Sequence, residues 1–290
     1  MTNETSATNA ENAAPCFALS KNDSYVMSAS GGRISLFNMM SFKTMTTFMP
    51  APPAASFLAF HPQDNNVVAI GMDDCTIQIY NVRVDEVKVK LKGHEKRVTG
   101  IAFSNLLSVM VSTGDDGQIC VWGTHAWEKK ANKSLQIPSD YVPKPHAHTR
   151  VQFHPDQKHV MVVHETQIGI YEASKLSCIK QWFPSSVAIT GATYSCDGQS
   201  IFVCLDDGNV CVLTVAGLKM RCRINPGAYL PPNPSARVVH PTVIAAHPSE
   251  PNQFAVGLTD GAVQMMEPPE GVREWGTPPP PEEADAASTS

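Results

Sequence analysis

Apolar residues recur along this chain in short runs, and clusters of Gly, Pro, Asn and Asp separate the runs. The segment VTGIAFSNLLSVMVSTGDDGQICVW, Val98 to Trp122, shows the pattern best. It reads as an alternating run, a polar turn, an apolar run, a tight GDDG turn and a second alternating run. A period of two is typical of β-strands, and helical periodicity is absent throughout. The pattern therefore predicts an all-β protein.

The same pattern occurs six times along the chain. The first inward residue of the third strand recurs every 42 to 53 residues, at Ile34, Ile77, Ile119, Ile168, Val210 and Val263. A polar residue that ends the first strand lies 14 to 16 positions earlier, at Ser20, His61, Ser104, His154, Ser195 and His247. A period of roughly 40–45 residues is that of a four-stranded propeller blade. The repeat predicts a WD-repeat β-propeller.

The repeat also predicts the domain boundaries. The six units lie near residues 16–48, 55–93, 94–135, 148–182, 188–225 and 240–267, which together form one propeller domain over 16–267. Residues 1–15 and the Pro-rich, acidic 268–290 are expected to be disordered, because their composition cannot bury a core. The sixth unit lacks an outer strand, and no N-terminal segment supplies one. This predicts an incomplete part of a seven-bladed ring, with a closed six-bladed ring as the alternative.

The third unit is the nearest to a WD repeat, because Gly93 precedes a histidine at its start and a tryptophan ends its third strand. Blades of this kind resemble others in which four side chains form a hydrogen-bonded chain. The matching positions here are His94, Ser112, Asp116 and Trp122. A buried carboxylate needs donors, which an imidazole and backbone amides can provide. Gly117 is expected to take the positive φ of the turn, and Gly123 replaces the usual Asp after Trp.

The paired acids and the cysteine of this turn also permit a catalytic or metal-binding interpretation. An acid pair or Asp-Gly recurs at the same position of four units, at Asp73-Asp74, Asp115-Asp116, Asp206-Asp207 and Asp260-Gly261. Residues repeated once per blade are expected to belong to the scaffold, and Cys120 alternates with apolar neighbours as a packed strand residue does. Hydrolase, nucleotide-binding and zinc-protease motifs are absent. The sequence therefore predicts no catalytic residue, no cofactor and no enzymatic activity.

Histidines raise a separate metal hypothesis. His61, His154 and His247 each precede a proline at the same position of alternate units, where ending the innermost strand is their expected role. A second group comprises His146, His148, His154, His159 and His164. This group has no Cys or acidic partner at the spacing that metal ligands require. The sequence predicts no metal site.

Charge and hydropathy bear on the choice of partner. The net charge of −5 gives no general attraction to nucleic acid or to an anionic membrane, and no apolar run approaches the roughly 18 residues of a membrane helix. The one basic run, KVKLKGHEKR, contains Lys88, Lys90, Lys92, Lys96 and Arg97. Alternating lysines protect an exposed edge strand from pairing, and a docking patch for an acidic partner is the alternative. No interleaved aromatic residues support nucleic-acid readout.

The eight cysteines form no C-x-x-C motif, and several lie inside apolar runs. They are expected to be small buried residues in a reducing, intracellular compartment rather than a disulfide framework.

Several stretches are more specific than a generic propeller repeat: Ser20–Pro50, Phe57–His94, Arg150–Trp182, Arg221–Pro232 and Val243–Pro268. They resemble the C-terminal region of the plant Topless/Topless-related transcriptional corepressors, and the resemblance covers nearly the whole chain. Members of that family carry N-terminal helical segments that tetramerise and bind LxLxL-type repression motifs, and two WD-repeat propellers follow. The chain matches only the later blades of the second propeller. Tetramerisation and LxLxL binding are therefore not expected of it.

The resemblance implies a non-enzymatic scaffold in the nucleus. Its partners would be proteins, such as transcription factors and corepressor or chromatin components, docked on loops of the propeller rims. The long loops Thr124–Thr149 and Asn225–Pro241 interrupt the period and are the first candidates, with stiff connectors as the other interpretation. A WD-repeat adaptor of another complex, such as a ubiquitin ligase, is the alternative function.

Overall fold

The structure, a computed structural model, describes residues 16–30, 33–48, 54–138, 141–142, 148–184, 186–229, 239–268 and 274–275. These residues form 24 β-strands and one short 3₁₀ turn at Pro226–Tyr229. The strands make six sheets in which consecutive strands pair antiparallel, as in propeller blades. The predicted all-β fold with six blades is confirmed. No helix in this part of the chain has the length and hydrophobicity needed to cross a bilayer.

Blades 1 to 4 belong to one compact unit, which ends at Phe183. Blade 1 contains β1 (Cys16–Leu19), β2 (Tyr25–Ser30), β3 (Arg33–Asn38) and β4 (Lys43–Phe48). Blade 2 contains β5 (Ala55–His61), β6 (Asp64–Met72), β7 (Thr76–Asn81) and β8 (Glu86–Lys92). Blade 3 contains β9 (Val98–Ser104), β10 (Val109–Gly114), β11 (Gln118–Gly123) and β12 (Lys129–Ser134). Blade 4 contains β13 (Arg150–Phe153), β14 (His159–His164), β15 (Gln167–Glu172) and β16 (Ser177–Trp182).

Blades 5 and 6 belong to a second compact unit, which begins at Pro184. Blade 5 contains β17 (Ile189–Tyr194), β18 (Ser200–Leu205), β19 (Val210–Thr214) and β20 (Met220–Ile224). Blade 6 contains β21 (Pro241–Ala246), β22 (Phe254–Leu258) and β23 (Val263–Met266). A two-residue strand, β24 (Glu274–Trp275), pairs parallel with β20 of blade 5.

Two of these strands bear on the sequence-based boundaries. The strand β12 lies inside the segment Thr124–Thr149, so the prediction of one long loop there is wrong. Its sequence KKANKS has no apolar alternation, because four of the six residues of this outer strand are exposed and none is fully buried. The strand β24 lies inside the predicted tail, whereas residues 1–15 and most of 268–290 lie outside the described residues. Membership of a seven-bladed ring stays a prediction.

Apolar faces of neighbouring blades pack against each other to form the core. The faces of blades 1 and 2 join through buried residues that include Met27, Ile34, Leu58, Phe60 and Val68. In the second unit, Phe202 of blade 5 stacks on Phe254 of blade 6 with ring centroids 4.4 Å apart. Each such fully buried side chain contributes about 1.5–3 kcal/mol relative to exposure. Neighbouring blades therefore contribute to each other's apolar burial.

Hydroxyl groups at the second position of the innermost strands also join neighbouring blades. Each donates to the backbone carbonyl at the start of the next blade's innermost strand. The pairs are Ser56 with Val98, Thr99 with Thr149, and Thr190 with Pro241. The repeat thus places one polar contact beside the apolar core at three blade junctions.

The prediction that the cysteines are buried is correct for only some of them. Cys120, Cys204, Cys211 and Cys222 are buried and free. Burial raises the pKa of the Cys204 thiol to about 12 and that of Cys211 to about 11, so both stay protonated and unreactive at neutral pH. Cys178 on the outer strand β16 is exposed, contrary to the expectation of burial.

Candidate interaction surface

The structure brings the four predicted network residues of blade 3 together. The indole N–H of Trp122, near the end of β11, donates to Ser112 Oγ in β10 at 2.9 Å. The same Oγ lies 2.8 Å from Nε2 of His94, which precedes β9. The other ring nitrogen of His94, Nδ1, lies 3.3 Å from both carboxylate oxygens of Asp116. The chain of contacts therefore joins the segment before β9 to β10, to the β10–β11 turn and to β11.

Asp116 is the acceptor at the end of this chain. Its side chain is 4% exposed. It also accepts hydrogen bonds from the backbone N–H of Glu95 at 2.7 Å and of Gln118 at 2.9 Å. Burial alone would raise the pKa of Asp116, but the imidazole and the two amides hold it below the usual value. The carboxylate is therefore ionised and fully engaged within the blade.

The residue after Asp116 fixes the turn. Gly117 has a φ of 68°, which confirms the positive φ predicted for it. In blade 2 the equivalent residue is Cys75, whose φ is 70°. An L-residue pays a conformational penalty in this region, so the turn geometry is kept in blade 2 although the residue type does not favour it.

The charge of His94 depends on this carboxylate. Burial alone would lower the pKa of His94, but the hydrogen bonds and charges of Asp116 and Cys120 outweigh it and raise the pKa to about 9. With all of its polar side chains buried and paired, the network offers no open position to a substrate. Its geometry is that of a brace between strands.

We expect the stability of the chain to fall as the pH rises from 6.5 to 8.5. The pKa of His94 is higher in the folded than in the unfolded protein, so its stabilisation is complete below pH 6.5 and is lost as the pH rises toward about 9. Urea denaturation at several pH values should show a decrease of at most about 1.4 kcal/mol per pH unit. The variant His94→Gln should show a flatter profile, and equal slopes in the two proteins would contradict the assignment.

The paired acids of the turns do not form catalytic dyads. In blades 2 and 3 the first acid of the pair reaches toward the next blade: Asp73 lies 3.3 Å from Arg97, and Asp115 lies 3.2 Å from His148. The second acid caps its own turn, as Asp74 does by accepting hydrogen bonds from the backbone and hydroxyl of the residue two positions later. The two carboxylates therefore point to different partners.

The predicted basic run divides into paired and exposed charges. Lys90 lies 3.0 Å from Asp74, and Arg97 pairs with Asp73, so the two acids of the same turn neutralise both. Lys88, Lys92 and Lys96 are exposed. We call these three residues the basic edge, since two of them lie on the outer strand β8. Its role as a docking patch remains a prediction.

A groove of about 200 Å³ opens between blades 2 and 3, where their innermost strands end. His61 and Phe103 form one wall with ring centroids 5.3 Å apart, and Thr124 and His125 of the β11–β12 turn form another. Burial lowers the pKa of His61, and the charge of Lys88 acts in the same direction. The groove therefore has a neutral aromatic wall close to Lys88. Sequence patterns missed it because its walls come from separate blades.

The three His-Pro turns have the predicted structural role. In each, Nδ1 of the histidine accepts a hydrogen bond from the backbone N–H two residues later. The pairs are His61 with Gln63, His154 with Asp156, and His247 with Ser249, at 3.2–3.3 Å. Each imidazole thus closes the turn that follows an innermost strand.

The second histidine group was expected to have no acidic partner, and this is wrong. Asp156 Oδ2 lies 2.6 Å from Nδ1 of His159 and 3.2 Å from Nδ1 of His154. The H-x-D-x-x-H spacing carried this signal, but a turn was needed to bring the three together. His148 and His164 contact other residues, and His146 lies outside the described residues.

Comparisons with known proteins agree with the geometry. The family WD domain, G-beta repeat matches residues 85–123, which include most of blade 3. Topless-related protein 4 of Arabidopsis thaliana is 65% identical over 292 residues, covering 100% of this chain and 26% of that protein. Protein TOPLESS of the same plant is 63% identical over 99% of the chain and 26% of its own length. Protein TPR3 of Oryza sativa subsp. japonica is 61% identical over 97% of this chain and 25% of its own length. The chain spans about a quarter of the length of these relatives.

Proposed function

We propose a function from the similarity of this chain, over nearly its whole length, to about a quarter of the Topless and Topless-related proteins. The chain acts as a non-enzymatic protein-interaction scaffold in the nucleus and contributes to transcriptional repression by binding partners on its blade rims. The identity of 56–65% across seven Topless and Topless-related proteins carries this proposal.

The distribution of polar groups supports binding rather than catalysis. The repeated acids and histidines are occupied in turns and between strands, where they brace the blades. The exposed features are instead the groove between blades 2 and 3, which has Lys88 close to it, and the rest of the basic edge, Lys92 and Lys96, toward the opposite ends of the strands. An acidic segment carrying an apolar or aromatic side chain complements the groove and Lys88, because the side chain fills the groove while a carboxylate faces that lysine.

Repression can be tested by tethering. The chain, fused to a heterologous DNA-binding domain in plant protoplasts, should lower expression of a reporter with the matching promoter element. The DNA-binding domain alone provides the baseline. An unchanged reporter, with the fusion present in the nucleus, would contradict a repressive role for this region.

A WD-repeat adaptor in another complex, such as a ubiquitin ligase, would have the same blades. Affinity purification of the chain from plant nuclei separates the two functions by the proteins recovered with it. Corepressor and chromatin components support the proposal, whereas recovery of ubiquitin-ligase subunits alone would favour the adaptor.

Reversing the charge of the basic edge should weaken partner binding. We expect the triple variant Lys88→Glu, Lys92→Glu and Lys96→Glu to recover about fivefold less of its protein partners at low salt, mainly through a lower association rate. The three side chains are exposed, so thermal stability should not change. If the substitutions do not change the amount of partner recovered, the basic edge is not part of the interface.

A matched control has the same change of net charge at other sites. Lys43, Lys175 and Lys219 are exposed residues of blades 1, 4 and 5, and their replacement by Glu should leave recovery unchanged. An equal loss in both triple variants would show that net charge, rather than the basic edge, governs binding.

A further inference from the structure

The turn between β13 and β14 in blade 4, HPDQKH, gathers three metal-ligating side chains. One ligand atom from each of His154, Asp156 and His159 lies within 4.8 Å of the other two. The carboxylate is between the imidazoles, 3.2 Å from the first and 2.6 Å from the second. His154 is half-buried, and the other two side chains are about a third exposed, so an ion can enter from solvent.

The backbone holds the carboxylate in place. Asp156 Oδ1 accepts hydrogen bonds from the N–H groups of Lys158 at 2.8 Å and His159 at 3.1 Å. The remaining oxygen, Oδ2, is the one that contacts both imidazoles. One oxygen therefore fixes the side chain, and the other is directed at the two ring nitrogens.

The turn is also anchored to blade 3. The Gln157 side chain accepts hydrogen bonds from the N–H groups of Asn105 at 3.0 Å and Leu106 at 3.1 Å. Its backbone carbonyl accepts a further one from the Ser104 hydroxyl at 2.7 Å. Attachment at three points reduces the conformational freedom that ligand binding would otherwise have to remove. The fold therefore pre-organises the Asp156 carboxylate, whereas Nδ1 of His154 must exchange its hydrogen bond from the Asp156 N–H for the metal ion.

We propose that His154, Asp156 and His159 bind a divalent transition-metal ion of the Zn²⁺ class. Two imidazoles and one carboxylate are ligands that Zn²⁺ accepts, and three protein ligands leave a position for water or a partner's side chain. Ligand atoms around tetrahedral Zn²⁺ are roughly 3.4 Å apart, close to the spacing between Asp156 and His154. The His159 ring must move outward by about 0.8 Å to reach the same spacing. Ca²⁺ and Mg²⁺ prefer oxygen ligands and fit this set poorly.

The equivalent turns of other blades show that the cluster is not a general consequence of the repeat. His61 is followed two positions later by Gln63, and His247 by Ser249, and both form the same backbone hydrogen bond as His154. Neither residue supplies a carboxylate. Blades 2 and 6 therefore have the same turn but lack the three metal-ligating side chains, and they serve as internal controls.

Calorimetric titration of the full chain with Zn²⁺ at pH 7.5 tests the site. We expect saturable binding of one ion, weakened at least about tenfold by either Asp156→Asn or His159→Ala. Asp156→Asn is the informative variant, since the amide oxygen can keep both backbone hydrogen bonds while its NH₂ group cannot ligate. His61→Ala and His247→Ala should leave the affinity unchanged. Thermal melts without metal identify any variant that fails to fold.

Cobalt distinguishes this site from the free cysteines. Co²⁺ bound by imidazole and carboxylate gives weak visible bands, whereas thiolate ligands add an intense near-ultraviolet band. We expect the weak bands alone, and their loss in Asp156→Asn. Absence of saturable binding, equal affinity in the folded variants, or a thiolate band would overturn the proposal. The site is independent of the proposed scaffold function, and the tethering result does not bear on it.

Discussion

An Asp116→Ala variant should unfold with a free energy about 3 kcal/mol below that of the parent chain. The substitution removes the acceptor of two backbone amides and of a buried imidazole, and His94 then stays buried without its counter-charge. Leaving one buried polar group unsatisfied costs about 1–3 kcal/mol, and breaking a buried charged pair costs about 3–5 kcal/mol. Urea denaturation followed by far-ultraviolet circular dichroism would measure the change.

The neighbouring acid provides the control for this variant. Asp115 is 28% exposed and contacts the partly exposed His148. We expect Asp115→Ala to cost less than about 1 kcal/mol, because exposed ion pairs contribute little. Equal losses in the two variants would show that the buried network has no special part in stability.

The second large effect is expected from Gly100→Ala, with a loss of about 2–3 kcal/mol. A β-carbon at Gly100 would lie 2.5 Å from Thr113 Oγ1 and 3.0 Å from the backbone nitrogen of Val151 in blade 4. The Thr113 hydroxyl already donates to the carbonyl of Thr149, so it cannot turn away without losing that bond. The alanine therefore separates blades 3 and 4 or breaks a buried contact.

Blade 5 offers the matched control at the same position of its innermost strand. A β-carbon at Gly191 would meet its nearest neighbours, Thr242 O and Ile244 Cγ2, at 3.7 and 3.9 Å, which is ordinary contact. We expect Gly191→Ala to change the free energy of unfolding by less than about 0.5 kcal/mol. Thermal or urea denaturation would show whether Gly100→Ala lowers the free energy of unfolding more than Gly191→Ala does. Similar values would contradict the steric argument.

The blades were predictable from sequence because their geometry is periodic. Inward residues that recur every 42 to 53 positions, and turn acids at the same position of four units, indicate which strands pair. The blade 3 network follows once those strands are in register. The outer strand β12 was missed because it buries little, so hydrophobic alternation is not imposed on KKANKS.

The groups that form the candidate sites were less predictable, because side-chain partners depend on how turns fold back. Lys90 and Arg97 looked like free charges in a basic run, yet the acids of one turn reach both. Asp156 contacts two histidines only because its other oxygen is bound to the backbone. The sequence shows how these residues are spaced along the chain, but it does not show the direction in which each side chain points.

The parallel pairing of β24 with β20 has a consequence for the order of folding. Within each blade, successive strands are joined by short turns, so hairpins can close at a small entropic cost. The contact between Arg223 and Glu274 instead joins positions about fifty residues apart, with blade 6 between them. Contacts of such long range form slowly. The last strand of the second unit is therefore expected to attach after both of its blades have formed, which makes it the late step of folding.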